Sequence, residues 1–496
     1  MSFKPRLDYS QLPSGFSDPV RPADFPRLEP RFWNQPWANR IGMGDLGVDR
    51  RVKHFGRFHP LPGCQPEPLA MRYHGHQFRH YNPQLGDGRG FLFAQIEDPV
   101  DGKLLDFGTK GSGTTPYSRA GDGRLTLKGA VREALATEML EALGVPTSKT
   151  FCFFETGESL FRGDEPSPTR SAVLTRLSHG HIRYGMFQRF QALGETENLK
   201  RLLVYSCQSY FPEILNEPLE ELVCAFLREV STRAARLAAS WMMAGFVHGV
   251  LNTDNMNITG ESFDYGPWRF LPFYDPSFTA AYFDHEGLYC YGRQAEAVYW
   301  NLDQLARALF ALAPEGAENS WHKSLSEALK GFPDVYRREL VVRFFGRLGL
   351  IPTDKPEQME AEEALFSLGI AALEESKVPF ESFFFDFYGG GLRRDRDAGK
   401  YAGPEGVKWR KSLEEGEWEV SSLADLRLLQ HADYFSKDLP EMMLIDEVEK
   451  IWEAIDLRDD WSLFEKKIER LRTMGLIYDF GCTPGIDHGS PRAFPK

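Results

Sequence analysis

His248-Gly249-Val250-Leu251-Asn252-Thr253-Asp254-Asn255 is followed, nine residues after Asn255, by Asp264-Tyr265-Gly266. An amide oxygen at 255 and a carboxylate at 264 are hard donors of the kind Mg²⁺ takes. The tripeptide D-[FY]-G occurs at Asp106, Asp264 and Asp479. Asp106 falls in an expected hairpin strand, and Asp479 has no H-x-x-L-x-x-x-N upstream. Only Asp264 has that partner. The plain alternative is a buried turn in which the asparagine is satisfied locally.

The catalytic loop of protein kinases reads H-R-D-L-x-x-x-N, and here His248, Leu251 and Asn255 fall on its register. In that loop the Asn, with the Asp of D-F-G, holds the metal that bridges nucleotide phosphates. The place of the kinase base is taken by Val250, which cannot accept a proton. The nearest replacement is Asp254. Its alternatives are a carboxylate behind the metal site or a simple turn residue.

Upstream, residues 84–125 are dense in glycine: QLGDGRG, DGK, KGSGTT, AGDGR. Phe91–Ile96 and Leu104–Thr109 flank Asp101-Gly102, a hairpin signal. Residues 126–143 carry apolar positions at helical spacing and stop at Gly144 and Pro146. Lys110 ends a strand and Glu133 lies on that helix, the arrangement that holds a lysine against phosphates in kinases. A surface ion pair is the competing reading. Gly86-Asp87-Gly88-Arg89 and Gly121-Asp122-Gly123-Arg124 let backbone N–H groups approach oxygens, or are plain tight turns. Arg176 and Arg183, seven apart, suit phosphate as planar forks, or are solvated. His74-Gly75-His76 and His179-Gly180-His181 read as hydrogen-bonded core histidines, with a metal site as the alternative.

The 496 residues carry a net charge of −13, 42% hydrophobic and 26% charged residues. That argues against a nucleic-acid-coating protein and against disorder. No apolar run of membrane-spanning length and no secretory h-region appears, so no membrane association and a cytoplasmic location are expected. The six cysteines show no C-x-x-C spacing and read as reduced thiols. Residues 1–40 read as an irregular arm. Residues 151–155 and 171–177 read as strands, 217–246, 301–313 and 440–475 as amphipathic helices, and 247–283 as short β-like segments. Residues 384–403, rich in Gly and charge, read as a mobile loop or linker. A β-rich part before a helical part predicts an α+β, two-lobed architecture.

HGHQFRHYNPQLGDGRG, KGSGTTPYSRAGDGR, VREALATE, TRLSHGHIRYG, HGVLNTDN and DYGP, in this order, resemble the selenoprotein O family, also called the YdiU family. The resemblance implies a protein-kinase-like two-lobed fold: an arm 1–40, a nucleotide-binding lobe 41–190, a helical lobe 191–380 and a helical extension 381–496. It further implies ATP lying reversed relative to ordinary kinases, and AMP transferred to Ser, Thr or Tyr hydroxyls of proteins. By the same resemblance Gly86, Gly88, Arg89, Lys110, Asp122, Gly123, Arg176 and Arg183 contact ATP. Glu133 pairs with Lys110, Asp254 accepts the proton, and Asn255 and Asp264 bind Mg²⁺ (or Mn²⁺), Asp264 also facing the nucleotide. Two features depart from the family. The tail that carries Cys or selenocysteine before two serines has only a loose counterpart in Cys482. The stretch YDPSFTAAYF after DYG holds no cysteine, and Cys290 lies downstream. An ordinary γ-phosphoryl-transferring kinase and a non-catalytic ATP-binding scaffold are the competing readings.

Overall fold

The computed structural model describes residues 3–480 except Asp164, Asn216, Asp354 and Asp479. The third D-[FY]-G and Cys482 therefore lie outside, or partly outside, the described residues. Thirteen strands are present among them: β1 Lys4–Arg6, β2 Ser17–Pro19, β3 Glu29–Trp33, β4 Leu69–Met71, β5 Gly75–Gln77, β6 His80–Asn82, β7 Leu92–Glu97, β8 Leu104–Lys110, β9 Leu125–Thr126, β10 Lys149–Leu160, β11 Thr169–Ser178, β12 Phe246–His248 and β13 Trp268–Phe270. Nine of them form one antiparallel sheet in the order β2-β4-β7-β8-β11-β10-β3, with β1 added on β7 and β9 on β11. The β7–β8 hairpin turns at Gly102, whose φ of 75° is open to glycine at little cost.

The first forty residues are less irregular than expected. They supply β1, β2 and β3, which close open edges of the sheet on β7, β4 and β10. These strands are three to five residues long, too short for alternation to show in the sequence.

The helix Leu127–Ala142 lies against β10 and β11. The Thr126 side chain caps it by accepting from the N–H of Gly129, and Gly144 (φ 72°) follows its end. Most of its surface is buried, Glu133 included. The second half of the chain is mainly helical. Leu219–Met243 is one continuous helix of 25 residues that packs against Gln294–Phe310, Glu318–Leu329 and Phe332–Arg347. Among the described residues one apolar cluster runs from the sheet through these helices, a second lies beneath the amino-terminal strands, and a third gathers Phe344, Phe383, Phe387 and Trp409. The molecule is thus a mixed α/β protein with an antiparallel sheet. No helix among the described residues is long and apolar enough to cross a membrane.

The stretch expected as a mobile loop or linker, 384–403, begins inside a core: 384–388 are buried, whereas 389–403 form turns and a 3₁₀ helix of mixed exposure. Phe380–Phe387 is a helix with every residue buried. Phe383 lies 5.6 Å from the Trp409 ring and 6.0 Å from Tyr401, and Phe387 lies 4.8 Å from Tyr401. Part of the charge is drawn to the core, since buried Asp386 takes Tyr401 Oη at 2.9 Å, Lys400 Nζ at 3.2 Å and Arg394 Nη2 at 3.2 Å, while Asp395 and Arg396 stay at the surface. Phe387→Ala is expected to lower unfolding free energy by about 3–5 kcal/mol in a denaturant titration, the cost of emptying a packed aromatic site. A change below about 0.5 kcal/mol would fit a loop instead.

Candidate active site

Three cations reach one carboxylate. Lys110, at the end of β8, places Nζ 2.6 Å from Glu133 Oε2 and 3.0 Å from Asp264 Oδ1. Arg176, on β11 beside β8, sits 3.5 Å from Asp264 Oδ1 and 3.8 Å from Glu133 Oε1. Arg183, which caps the helix Tyr184–Ala192, sits 3.7 Å from Asp264 Oδ2. Both guanidinium groups stand over the Phe263 ring, at 5.8 and 4.7 Å. Burial alone would raise the Asp264 pKa, but Lys110, Arg176 and Arg183 outweigh it and hold the carboxyl well below the usual range. Asp264 therefore stays ionised.

Several buried polar atoms here lack a hydrogen-bond partner among the described residues: Nε and Nη1 of Arg176, Nε of Arg183, Oε1 of Glu133 and Oδ1 of Asp254. Unmet buried donors cost free energy, and a polyphosphate offers the acceptors they lack.

The two sequence motifs are tied by His248. Its Nε2 donates to the Phe263 carbonyl at 3.1 Å, which sets the tautomer, and its Nδ1 accepts from the Val250 N–H at 3.3 Å. Asp264 then adopts φ 63°, a conformation that Asp tolerates better than most residues. Thr253–Asn255 form one 3₁₀ turn. Asn255 donates its Nδ2 to the Val250 carbonyl at 3.0 Å, which commits the nitrogen and leaves the oxygen as the end for a cation. Asp254 is buried, and that burial pushes its pKa up to about 6, against Arg183, which lowers it. Its own carbonyl accepts from Arg183 Nη1 at 2.7 Å.

The glycine loops sit beside this cluster. The carbonyl of Arg89 accepts from Gly111 N at 2.7 Å and Ser112 N at 3.3 Å, which lays 86–90 against 110–113. A Cβ on Gly86 would come within 2.3 Å of the Tyr117 ring, and one on Gly88 within 2.9 Å of the Tyr117 carbonyl. The Arg89 side chain is exposed and its charge bears on Asp264. Gly123, at φ 69°, crosses Gly113, and a Cβ there would stand 2.3 Å from its backbone. Asp122 is not drawn into the cluster: it is exposed and paired with Arg162 at 2.8 Å. Asp87 was not singled out by the sequence, yet its carboxyl accepts from Met71 N at 3.0 Å and lies 3.6 Å from Arg183. Phe263, the platform for both arginines, was also missed, although it directly precedes the D-Y-G.

The histidine pairs are hydrogen-bonded. His74 Nδ1 meets Tyr81 Oη at 2.6 Å, His179 Nδ1 meets the Leu104 carbonyl at 2.8 Å, and His181 Nδ1 lies 3.4 Å from Asp106. Among the described residues no three His, Cys, Asp or Glu side chains converge as a metal cage. A cation at Asn255 and Asp264 would complete its shell with phosphate and water, the usual habit of Mg²⁺. Cys290 is a free, buried thiol whose pKa burial raises.

The family model described as protein adenylyltransferase SelO matches residues 1–472. The chain belongs to the SelO family. Proteins named protein nucleotidyltransferase YdiU are similar over nearly their full length. The one from Synechocystis sp. is 40% identical over 95% of this chain and 98% of its own. That from Gloeobacter violaceus is 42% identical over 94% and 95%, and that from Trichodesmium erythraeum 40% over 95% and 98%. Membership of the SelO family makes the chain a nucleotidyltransferase that uses ATP and a divalent metal.

Proposed function

We propose that the chain transfers AMP from ATP to a Ser, Thr or Tyr hydroxyl of a protein, with ATP reversed relative to an ordinary protein kinase, on a kinase-like two-lobed scaffold. The hydroxyl oxygen bonds to the α-phosphorus, the bond from that phosphorus to the β-phosphate bridging oxygen breaks, and pyrophosphate leaves. Asp254, whose carboxyl keeps an oxygen without a hydrogen-bond partner, accepts the hydroxyl proton. Lys110, kept in place by Glu133, and Arg176 and Arg183 take the phosphate oxygens. Arg89 and the backbone of Gly86, Gly88 and Gly123 border the polyphosphate, and Asp122 orders the 121–124 turn by accepting from Arg124 N at 2.9 Å. Asn255 and Asp264 would hold Mg²⁺, or Mn²⁺, which shares the same donors. When bound, that cation offsets the charge of the phosphates beside two aspartates. The β-rich part, 41–190, would serve as the nucleotide lobe, 191–380 as the helical lobe, with the arm 1–40 and the extension 381–496 around them.

The observation that carries this reading is the set of unpaired buried arginine nitrogens beside Asp264, together with Val250 at the place of the kinase base. Cations in that number suit a pyrophosphate leaving group. A non-catalytic scaffold has no need of both Asn255 and Asp264. Val250→Asp tests the direction of the nucleotide. A base acts only within about 2.6–3.2 Å of its proton, or through one water. With ATP reversed, the γ-phosphate lies away from position 250, so the variant is expected to show no γ-phosphoryl transfer to protein. Robust transfer of γ-label would mean that ATP binds in the ordinary direction.

A further inference from the structure

The pair His74-Gly75-His76 lies against the Asp254 turn. Thr253 Oγ1, fully buried, accepts from the His76 backbone N–H at 2.7 Å and donates to Gln188 Oε1 at 2.6 Å. Gln188 Nε2 donates back to His76 Nδ1 at 2.8 Å. The three residues close a ring, and each link has one donor and one acceptor. The ring is satisfied with His76 accepting on Nδ1 and carrying its proton on Nε2. Burial lowers the pKa of His76, which agrees with a neutral acceptor.

The neighbouring positions are held as tightly. Asn252 Oδ1 accepts from Phe78 N at 3.0 Å and from Tyr289 Oη at 2.8 Å. A Cβ on Gly75 would come 3.2 Å from Asp254 Oδ1, so glycine leaves room for the carboxylate. Phe78 and Arg79 form the two-residue turn of the β5–β6 hairpin with φ of 48° and 64°. That conformation usually belongs to Asn-Gly and is costly for Phe and Arg. Contacts hold it there. The Phe78 ring lies 5.0 Å from Tyr289, and Arg79 reaches Glu296 at 3.1 Å. Backbone strain of this kind persists only where surroundings enforce it.

We infer that the His76–Thr253–Gln188 ring is a positioning unit for Asp254. It fixes the backbone from which the carboxylate projects, so that the carboxylate meets the attacking hydroxyl. The inference rests on Asp254 as the proton acceptor. His76, Thr253 and Gln188 are outside the set proposed to contact ATP, so loss of the ring should fall on turnover and not on nucleotide binding.

The test is a double-mutant cycle on the full chain. Thr253→Val keeps the shape and removes the hydroxyl, and Thr253→Ser restores it. Gln188→Leu breaks the ring from the other side and serves if Thr253→Val does not fold. Turnover by α-labelled ATP, ATP affinity by calorimetry and thermal melting are measured for each. Thr253→Val or Gln188→Leu is expected to lower kcat about 10–100-fold with KM and Kd for ATP within twofold, and Thr253→Ser to recover most of it. In an Asp254→Asn background the effect of Thr253→Val on the residual rate should vanish. An equal fall of kcat in both backgrounds, a parallel loss of ATP affinity, or no rescue by serine would overturn the positioning role. Undiminished turnover by Asp254→Asn alone would instead remove Asp254 as the proton acceptor.

Discussion

Asp264→Asn is expected to lower AMP transfer by about 10²–10³-fold while leaving the fold intact. Asparagine keeps the shape and tolerates φ 63°, whereas alanine would add backbone strain to the result. What is lost is the charge on which Lys110, Arg176 and Arg183 converge and which a cation needs. Its neutralisation leaves Lys110, Arg176 and Arg183 facing one another without the shared carboxylate, so a lower melting temperature is expected as well, and turnover is compared where both proteins are folded. The check is α-label incorporation at saturating ATP and metal, with melting as control. Near-unchanged turnover would place the chemistry elsewhere.

Lys110→Met should cost at least about 10² in kcat/KM, because it removes the cation that Glu133 holds ready for phosphate. The fold will suffer as well. Glu133 is 1% exposed, and breaking a buried pair by removing one partner typically costs about 3–5 kcal/mol. The double variant Lys110→Met with Glu133→Gln separates the two effects: stability should largely return and activity should not. Recovery of transfer in the double variant would show that Lys110 acts only by keeping Glu133 paired.

The two motif residues and the lysine pair were legible because their chemistry is local. His248, Leu251 and Asn255 sit at fixed spacing, and Lys110 and Glu133 occupy a strand end and a helix marked off by the Asp101-Gly102 turn and by Gly144 and Pro146. Arg176 and Arg183 were open to a solvated reading, since nothing in TRLSHGHIRYG says that the strand passes under Lys110 or that Phe263 supplies a platform for both guanidinium groups. Asp87 was hidden inside a glycine turn. Asp122 was legible as a turn residue, and its partner Arg162, forty positions on, was not. The misreading of 384–403 has a clear cause. FFDFY at 384–388 is the aromatic density of a core helix, and buried Asp386 holds Arg394 and Lys400, while the glycines and remaining charges that follow do form the exposed turns their composition suggests. The amino-terminal strands were missed because an edge strand of three residues is specified by its neighbour in the sheet and hardly by its own sequence.

The reaction itself is tested by incubating the protein and a protein acceptor with ATP labelled either at the α- or at the γ-phosphate, followed by intact mass. The account predicts label on protein from the α position only, with a mass gain of one AMP per modified hydroxyl. Label from the γ position only would contradict it and make the chain a kinase, and tight ATP binding with no label from either would make it a scaffold.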